Sequence, residues 1–222
     1  MNKGERAICP DCGATLLAVL PVENVKHWRH KGGDCDTWSE PEGEWHLWWK
    51  ERFDLDCREI GLTDKDNGER HRADILCGAN TPLATILELQ HSNISEEERL
   101  SREKFYSRNH RMFWLVHIHS DTSFNEFSFY SSLDFESRPR VYDGRTFHVM
   151  RWGGRSKQFI EKWKRSSTHV FFDYKGYIFY LANEQVSKYL GGPFGRGEFA
   201  LYNLTPMEFI NAVHGHKANL ES

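Results

Sequence analysis

No run of apolar residues in this chain is long enough to span a bilayer, and the amino terminus offers no apolar signal-peptide core. A helical membrane span is therefore excluded, and a cytoplasmic address is the expectation. Excess charge of one sign is missing too: 29 Lys and Arg face 32 Asp and Glu, for a formal net charge of -3. That balance excludes a globally basic nucleic-acid binder but leaves room for a local basic face. Cysteine is scarce and odd in number, with five in 222 residues. Without a secretion signal, a Cys-x-x-Cys pair points to metal or redox chemistry before a disulfide framework. Internal repeats and low-complexity tracts are absent.

Aromatic residues, in contrast, are plentiful at 14%, with eight tryptophans. Rings of this size point to a core before they point to a base-stacking surface. The length suits one large domain, or a domain with a small attachment. Composition divides the chain near residue 38, where a segment rich in Cys, His, Lys and Gly ends, and the element pattern becomes more mixed beyond about 120. The expected parts are a metal-held module over 1–38, an α/β core over 39–120 and a mixed α+β extension over 121–222, packed on the core.

Within the core, Pro41 opens a helix on which Trp45, Trp48, Trp49, Arg52 and Phe53 recur at three- and four-residue spacing. Gly61 and the polar stretch 63–68 read as a turn. Strands follow over 71–76 and 84–89. Ser95-Glu96-Glu97-Glu98 is a capping-box sequence opening a helix to about 108, and 113–118 is the next strand. Further on, the pattern gives a strand over 147–151, a helix over 158–165, and a hairpin of 170–174 and 177–181 across Lys175-Gly176. Thr205-Pro206-Met207-Glu208 is a second capping box with Pro at the first helical position, opening a helix to about 214.

Metal chemistry enters with Cys9-Pro-Asp-Cys12. Two thiols two residues apart can bite one Zn2+, and two further soft or borderline ligands complete a tetrahedron. His30 and Cys35 lie within reach, with His27 as the competing histidine, so Cys9, Cys12, His30 and Cys35 are the expected structural site. Cys57 and Cys77 read as small buried hydrophobes. His117-x-His119 and His214-x-His216 read as ordinary histidines rather than metal pairs.

A second chemistry lies in the core. Glu42, His46 and Lys50 are spaced to stack on one helix face, where the alternative is a solvated stripe. Asp74, Glu88 and Gln90 stand in strands that are otherwise apolar, where a charge is costly unless it is paired or metal-bound. Alternation puts Glu88 and Gln90 on one side of their strand, and Arg72 and Asp74 on one side of theirs. The competing account is a buried Arg72–Glu88 salt bridge.

Taken as a set, these residues resemble the competence protein CoiA-like family of the PD-(D/E)XK nuclease superfamily. The match runs over about residues 8–117. It is carried by Glu42, Glu44, His46 and Lys50, by His71-Arg72-Ala73-Asp74, by Glu88-Leu89-Gln90-His91-Ser92-Asn93-Ile94-Ser95 and by Arg102-x-x-x-Tyr106. The amino-terminal Cys-Pro-x-Cys, His-x-x-His and Asp34-Cys35-Asp36 resemble the family's zinc-binding leader. The resemblance implies an αβββαβ core and a Mg2+- or Mn2+-dependent DNA nuclease in which Asp74 and Glu88 hold the metal, aided by Glu42. It implies that Arg72, Arg102 and Tyr106 bind substrate. Gln90 stands where the family's last motif carries Lys. Lys50, with His46 beside it, is then the cation expected to position the attacking water. The rival reading is a catalytically weak DNA-binding factor for uptake or recombination of single strands. DNA, a second copy of the chain, and recombination or defence proteins are the expected partners.

A local basic face is available over 138–165, where nine Lys and Arg stand against Asp143 and Glu161. Such a stripe would bind phosphates without sequence preference. Trp152 and Trp163 within it are candidates to stack on bases.

Overall fold

The computed structural model describes all residues except 11, 23–25, 33–37, 39–41, 121–125, 137 and 216–222. Cys35, Pro41 and His216, which figure in the sequence reading, thus lie outside the described residues. The chain forms two compact units, Met1–Ile75 and Leu76–Ser222, where the sequence had suggested breaks near 38 and 120.

In the first unit, β1 (Arg6–Ile8), β2 (Thr15–Val19) and β3 (His27–His30) form a small antiparallel sheet in that order. Cys9 and Leu16 are buried there, too little apolar surface to sustain a core of ordinary size. Helix α1 (Glu44–Lys50) follows, with Gly43 as its extended N-cap. It begins two residues after Glu42, so Glu42 is not part of the helix. Its buried residues His46, Trp49 and Lys50 continue into buried Phe53, a three- and four-residue repeat that turns His46 and Lys50 inward. The alternative of a solvated stripe therefore fails for His46 and Lys50, which lie on a buried face.

Strand β4 (Arg58–Thr63) then pairs antiparallel with β5 (Arg70–Cys77), with Ile60 opposite Ala73 and Leu62 opposite His71. Gly61, read as a turn, lies inside β4, and the turn proper is confined to the residues between the two strands. Glu59 adopts a left-handed φ of 54°, unusual for a residue with a side chain.

The second unit is a mixed α/β structure built on a large mixed sheet. Its strands are β6 (Thr85–Gln90), β7 (Arg111–Ile118), β8 (Pro139–Tyr142), β9 (Arg145–Arg151), β10 (His169–Tyr174), β11 (Tyr177–Leu181) and β12 (Glu198–Leu204). They run in the order β6-β7-β10-β11-β12-β9-β8. β6, β7 and β10 are parallel, and the remainder antiparallel. The carboxy-terminal half is thus hydrogen-bonded into the same sheet as β7 rather than laid upon it. The expected hairpin is present, with Tyr174 opposite Tyr177.

Helices α2 (Glu96–Tyr106), α3 (Glu126–Tyr130), α4 (Gln158–Lys164), α5 (Glu184–Ser187) and α6 (Pro206–Val213) complete the unit. Trp114 of β7 meets Glu103 of α2 and Trp163 of α4, so these helices share one face. Phe209 of α6 packs on Phe171, which points the other way along β10. The α6 capping box forms both of its hydrogen bonds. At α2 only Ser95 plays its part, accepting from Glu98 N, because the Glu98 carboxylate is drawn to Arg102. In chain order the elements from 44 to 118 read α1, β4, β5, β6, α2, β7.

Tryptophan does serve the core: Trp49, Trp114 and Trp163 are fully buried. That overturns the stacking role given to Trp163, and Trp152 is itself only 5% exposed, at the wall of a groove. Cys77 is buried as expected, whereas Cys57 is only partly so.

Candidate functional site

In the first unit, Lys50 is 5% exposed, yet three carboxylates converge on its Nζ. Glu42 and Glu59 each accept a short hydrogen bond from it, and Asp74 Oδ1 lies 3.0 Å away. Each arrives by a different route. Glu42 comes from the segment before α1, Glu59 from the strained position on β4, and Asp74 from β5. Left-handed backbone at a non-glycine residue costs roughly 1–3 kcal/mol and tends to mark a functional position. Glu59 escaped the sequence reading because it lies in a stretch punctuated by Gly61.

Burial alone would lower the Lys50 pKa. Asp74, Glu59 and Glu42 more than reverse that, and hold the ammonium above the ordinary lysine range. The Glu59 carboxyl is raised by desolvation and, despite the pull of Lys50, by its neighbours Asp74 and Glu42. Arg72 NH1 stands 3.7 Å from Glu59 Oε2, which accounts for Arg72 as a partner of this cluster. Three carboxylates against two cations leave this cluster with a formal excess of negative charge and several hard oxygen atoms.

In the second unit, Glu88 is 3% exposed, and its Oε2 accepts from Arg102 NH1 at 3.0 Å. Arg102 NH2 donates to Glu98 Oε1 at 2.6 Å. Arg102 and Tyr106 are themselves almost wholly buried. Expected as a phosphate clamp, Arg102 instead secures Glu88 between strand and helix, because a guanidinium buried beside two carboxylates is already committed. Gln90 is 1% exposed, and its Nε2 donates to the Ser92 carbonyl at 3.1 Å.

The amino-terminal thiols are gathered by a tight turn. Cys9 N donates to Ala14 O, Gly13 N donates to Cys9 O, and Gly13 takes a positive φ of 73°. β3 then delivers His30, whose Nε2 is 3.4 Å from Cys12 Sγ. Ligand atoms of Cys9, Cys12 and His30 lie within 4.8 Å of one another, a group that could hold a metal ion. Of the two histidines it is His30 that joins the thiols. His27, three residues earlier on the same strand, is exposed and points to the other side.

The basic segment is not one stripe. Arg138 and Arg151 both reach Glu198, Lys164 pairs with Glu161, and Arg145 donates to the Tyr202 hydroxyl. Part of it lines an open groove of about 1260 Å³, where Arg155, Lys162, Arg165 and Arg196 stand against Glu96 and Glu161. Phe127, 75% exposed, offers that groove an aromatic ring that sequence reasoning overlooked. Burial lowers the Lys162 pKa to about 8, assisted by Arg99.

Comparison with protein-family models, with curated proteins and with solved structures finds no match.

Proposed function

We propose that the chain is a metal-dependent nuclease of the PD-(D/E)XK kind, acting on DNA. The observation that carries this reading is the convergence of Glu42, Glu59 and Asp74 on the ammonium of Lys50. The order of elements from α1 to β7 supports it, being the αβββαβ succession that the CoiA-like resemblance implies. Asp74, with Glu42 or Glu59, would hold Mg2+ or Mn2+, which supplies a water of lowered pKa and charge to oppose that developing at phosphorus. Lys50, kept protonated by its carboxylates, cannot serve as a base near neutrality. It acts as a fixed donor that orients a phosphate oxygen or the attacking water, the part left open by Gln90. Glu88, implied as a further ligand by the resemblance, is to be judged by its own variant.

Labelled single- and double-stranded DNA, incubated with Mg2+ or Mn2+, tests the reading. Asp74→Ala should abolish cutting with an unchanged far-ultraviolet dichroism spectrum, and Glu88→Gln, which still offers Arg102 an acceptor, tests the ligand role that the resemblance implies for Glu88. Undiminished cleavage by purified Asp74→Ala would rule out this site.

The buried Gln90, with its amide donated to the Ser92 carbonyl, favours a second reading. On that reading the chain keeps the nuclease arrangement but only binds DNA, through the groove at Arg155, Lys162, Arg165 and Arg196. Binding without strand breaks under both metals would select it. In either case we assign a structural Zn2+ to Cys9, Cys12 and His30, the fourth ligand expected from the sequence being Cys35, which lies outside the described residues. The role is one of folding, since four protein ligands leave no open position.

A further inference from the structure

His91, His117 and His119 come together in the second unit without any part in the proposed reaction. His91 follows the last residue of β6, and Gln90 is in register with Val116 of parallel β7. His91 therefore stands beside His117, and His119 lies two residues on, along the same side. That side is opposite the one carrying Glu88, since Glu88 and Gln90 alternate with Leu89 and His91. Carboxyl ends of adjacent parallel strands are a habitual place for ligands in α/β sheets.

Three features give the cluster the form of a metal site. The ligand nitrogens all lie within 4.8 Å of one another, and all three residues are half-buried. His119 Nε2 stands 3.1 Å from the His91 carbonyl oxygen. A carbonyl only accepts, so this nitrogen carries the proton and Nδ1 presents the lone pair. A metal-bound histidine is commonly fixed in just this way, by donating its other N–H to a backbone carbonyl. Finally, His91 Nδ1 and His117 Nδ1 face each other at 2.8 Å. Two neutral imidazoles in this arrangement share a single proton, and a cation placed between them would replace it. Tetrahedral coordination at Zn–N distances near 2.05 Å needs about 3.3 Å between nitrogens, a small opening from the observed separation.

We propose that His91, His117 and His119 form a second metal site, distinct from the amino-terminal cysteines, that binds a first-row divalent transition ion of the Zn2+ class. Imidazole donors favour Zn2+, Co2+, Ni2+ or Cu2+ over Mg2+. Coordination through both Nδ1 atoms moves the shared proton to the Nε2 of its own ring, with no net release, and three protein ligands leave a position open to water or a small anion. Asp173, the buried register partner of His117 on β10, adds a carboxylate to the same side of the sheet and favours a cation there.

The test is a Co2+ titration of the full chain after chelator treatment, in the Cys9→Ser, Cys12→Ser background that removes the thiolates. One Co2+ per chain is expected, with visible d–d bands and no thiolate charge-transfer band. His117→Gln and His119→Gln should each weaken uptake by more than about tenfold, while His148→Gln leaves it unchanged. No uptake at micromolar Co2+, or uptake indifferent to His117→Gln, overturns the proposal. Should the histidine variants fail to fold, wild-type protein is carbethoxylated with and without Zn2+ and its peptides are weighed. Zn2+ must protect His91, His117 and His119, and modification of all three unaffected by Zn2+ overturns the proposal equally.

Discussion

Arg102 NH1 lies 3.0 Å from Glu88 Oε2, and both side chains are buried. Sequence reasoning gave one to a substrate phosphate and the other to a metal, whereas the fold gives each to the other. Removing the guanidinium would take from a buried carboxylate the cation that faces it at 3.0 Å. Arg102→Met should therefore lower stability by about 3–5 kcal/mol, measured by urea denaturation. If Arg102 served only as a substrate clamp, stability would hold and DNA affinity alone would fall.

Lys50 makes the complementary case in the first unit, where one ammonium separates Glu42, Glu59 and Asp74. In Lys50→Met the three carboxylates repel one another, so the variant should melt well below the wild type in the presence of a chelator. A divalent cation can take the ammonium's place, and Mn2+ should raise the variant's melting temperature more than that of the wild type. Equal shifts in the two proteins would argue against a cation site among these carboxylates.

These two clusters show what a sequence can disclose. Asp74 and Glu88 were legible because a charge within an apolar run is costly, and so must be engaged with something, and Lys50 because of its helical spacing from Glu42 and His46. What each is engaged with was not legible. Glu59 reaches Lys50 only through a left-handed backbone angle on a strand that Gly61 disguised as a turn. His91 joins His117 through the register of two parallel strands that lie 26 residues apart in sequence. The hairpin at Lys175-Gly176 and the α6 capping box were read correctly because their signals are local. The split of the basic segment was not, because Glu198 comes from a strand distant in sequence.

Lys162 gives the groove a pH dependence. Its ordinary pKa of 10.5 is lowered by burial to about 8, with Arg99 pushing further down and Glu96 opposing. The ammonium is charged below pH 8 and lost above it, so its contribution to DNA binding should fade between pH 7 and 9. Lys162→Arg should bind DNA with little change across that range, as measured by fluorescence anisotropy at fixed salt. Stability should move the opposite way. Between the folded and unfolded pKa values the unfolded chain holds more protons, and wild-type stability rises with pH there. Equal pH profiles for wild type and Lys162→Arg would remove Lys162 from the binding surface.

The strongest structural commitment in the second unit is Glu103, a residue with no distinguishing mark in the sequence. Its carboxylate accepts from Arg99 NH1 at 2.5 Å, from Trp114 Nε1 at 3.2 Å, from the Ser166 hydroxyl at 2.7 Å, and from the backbone and hydroxyl of Ser167. One side chain thereby ties α2 to β7 and to the turn that leads into β10. Glu103→Leu strands the buried Arg99 guanidinium, along with the donors on Trp114, Ser166 and Ser167, and should cost about 3–5 kcal/mol. Adding Arg99→Met removes the stranded charge but not the stranded hydroxyls, so it should restore part of that loss. A double variant no more stable than Glu103→Leu alone would place the cost in the serine and tryptophan donors rather than in the ion pair, and urea midpoints of the wild type, Glu103→Leu, Arg99→Met and the double variant decide between them.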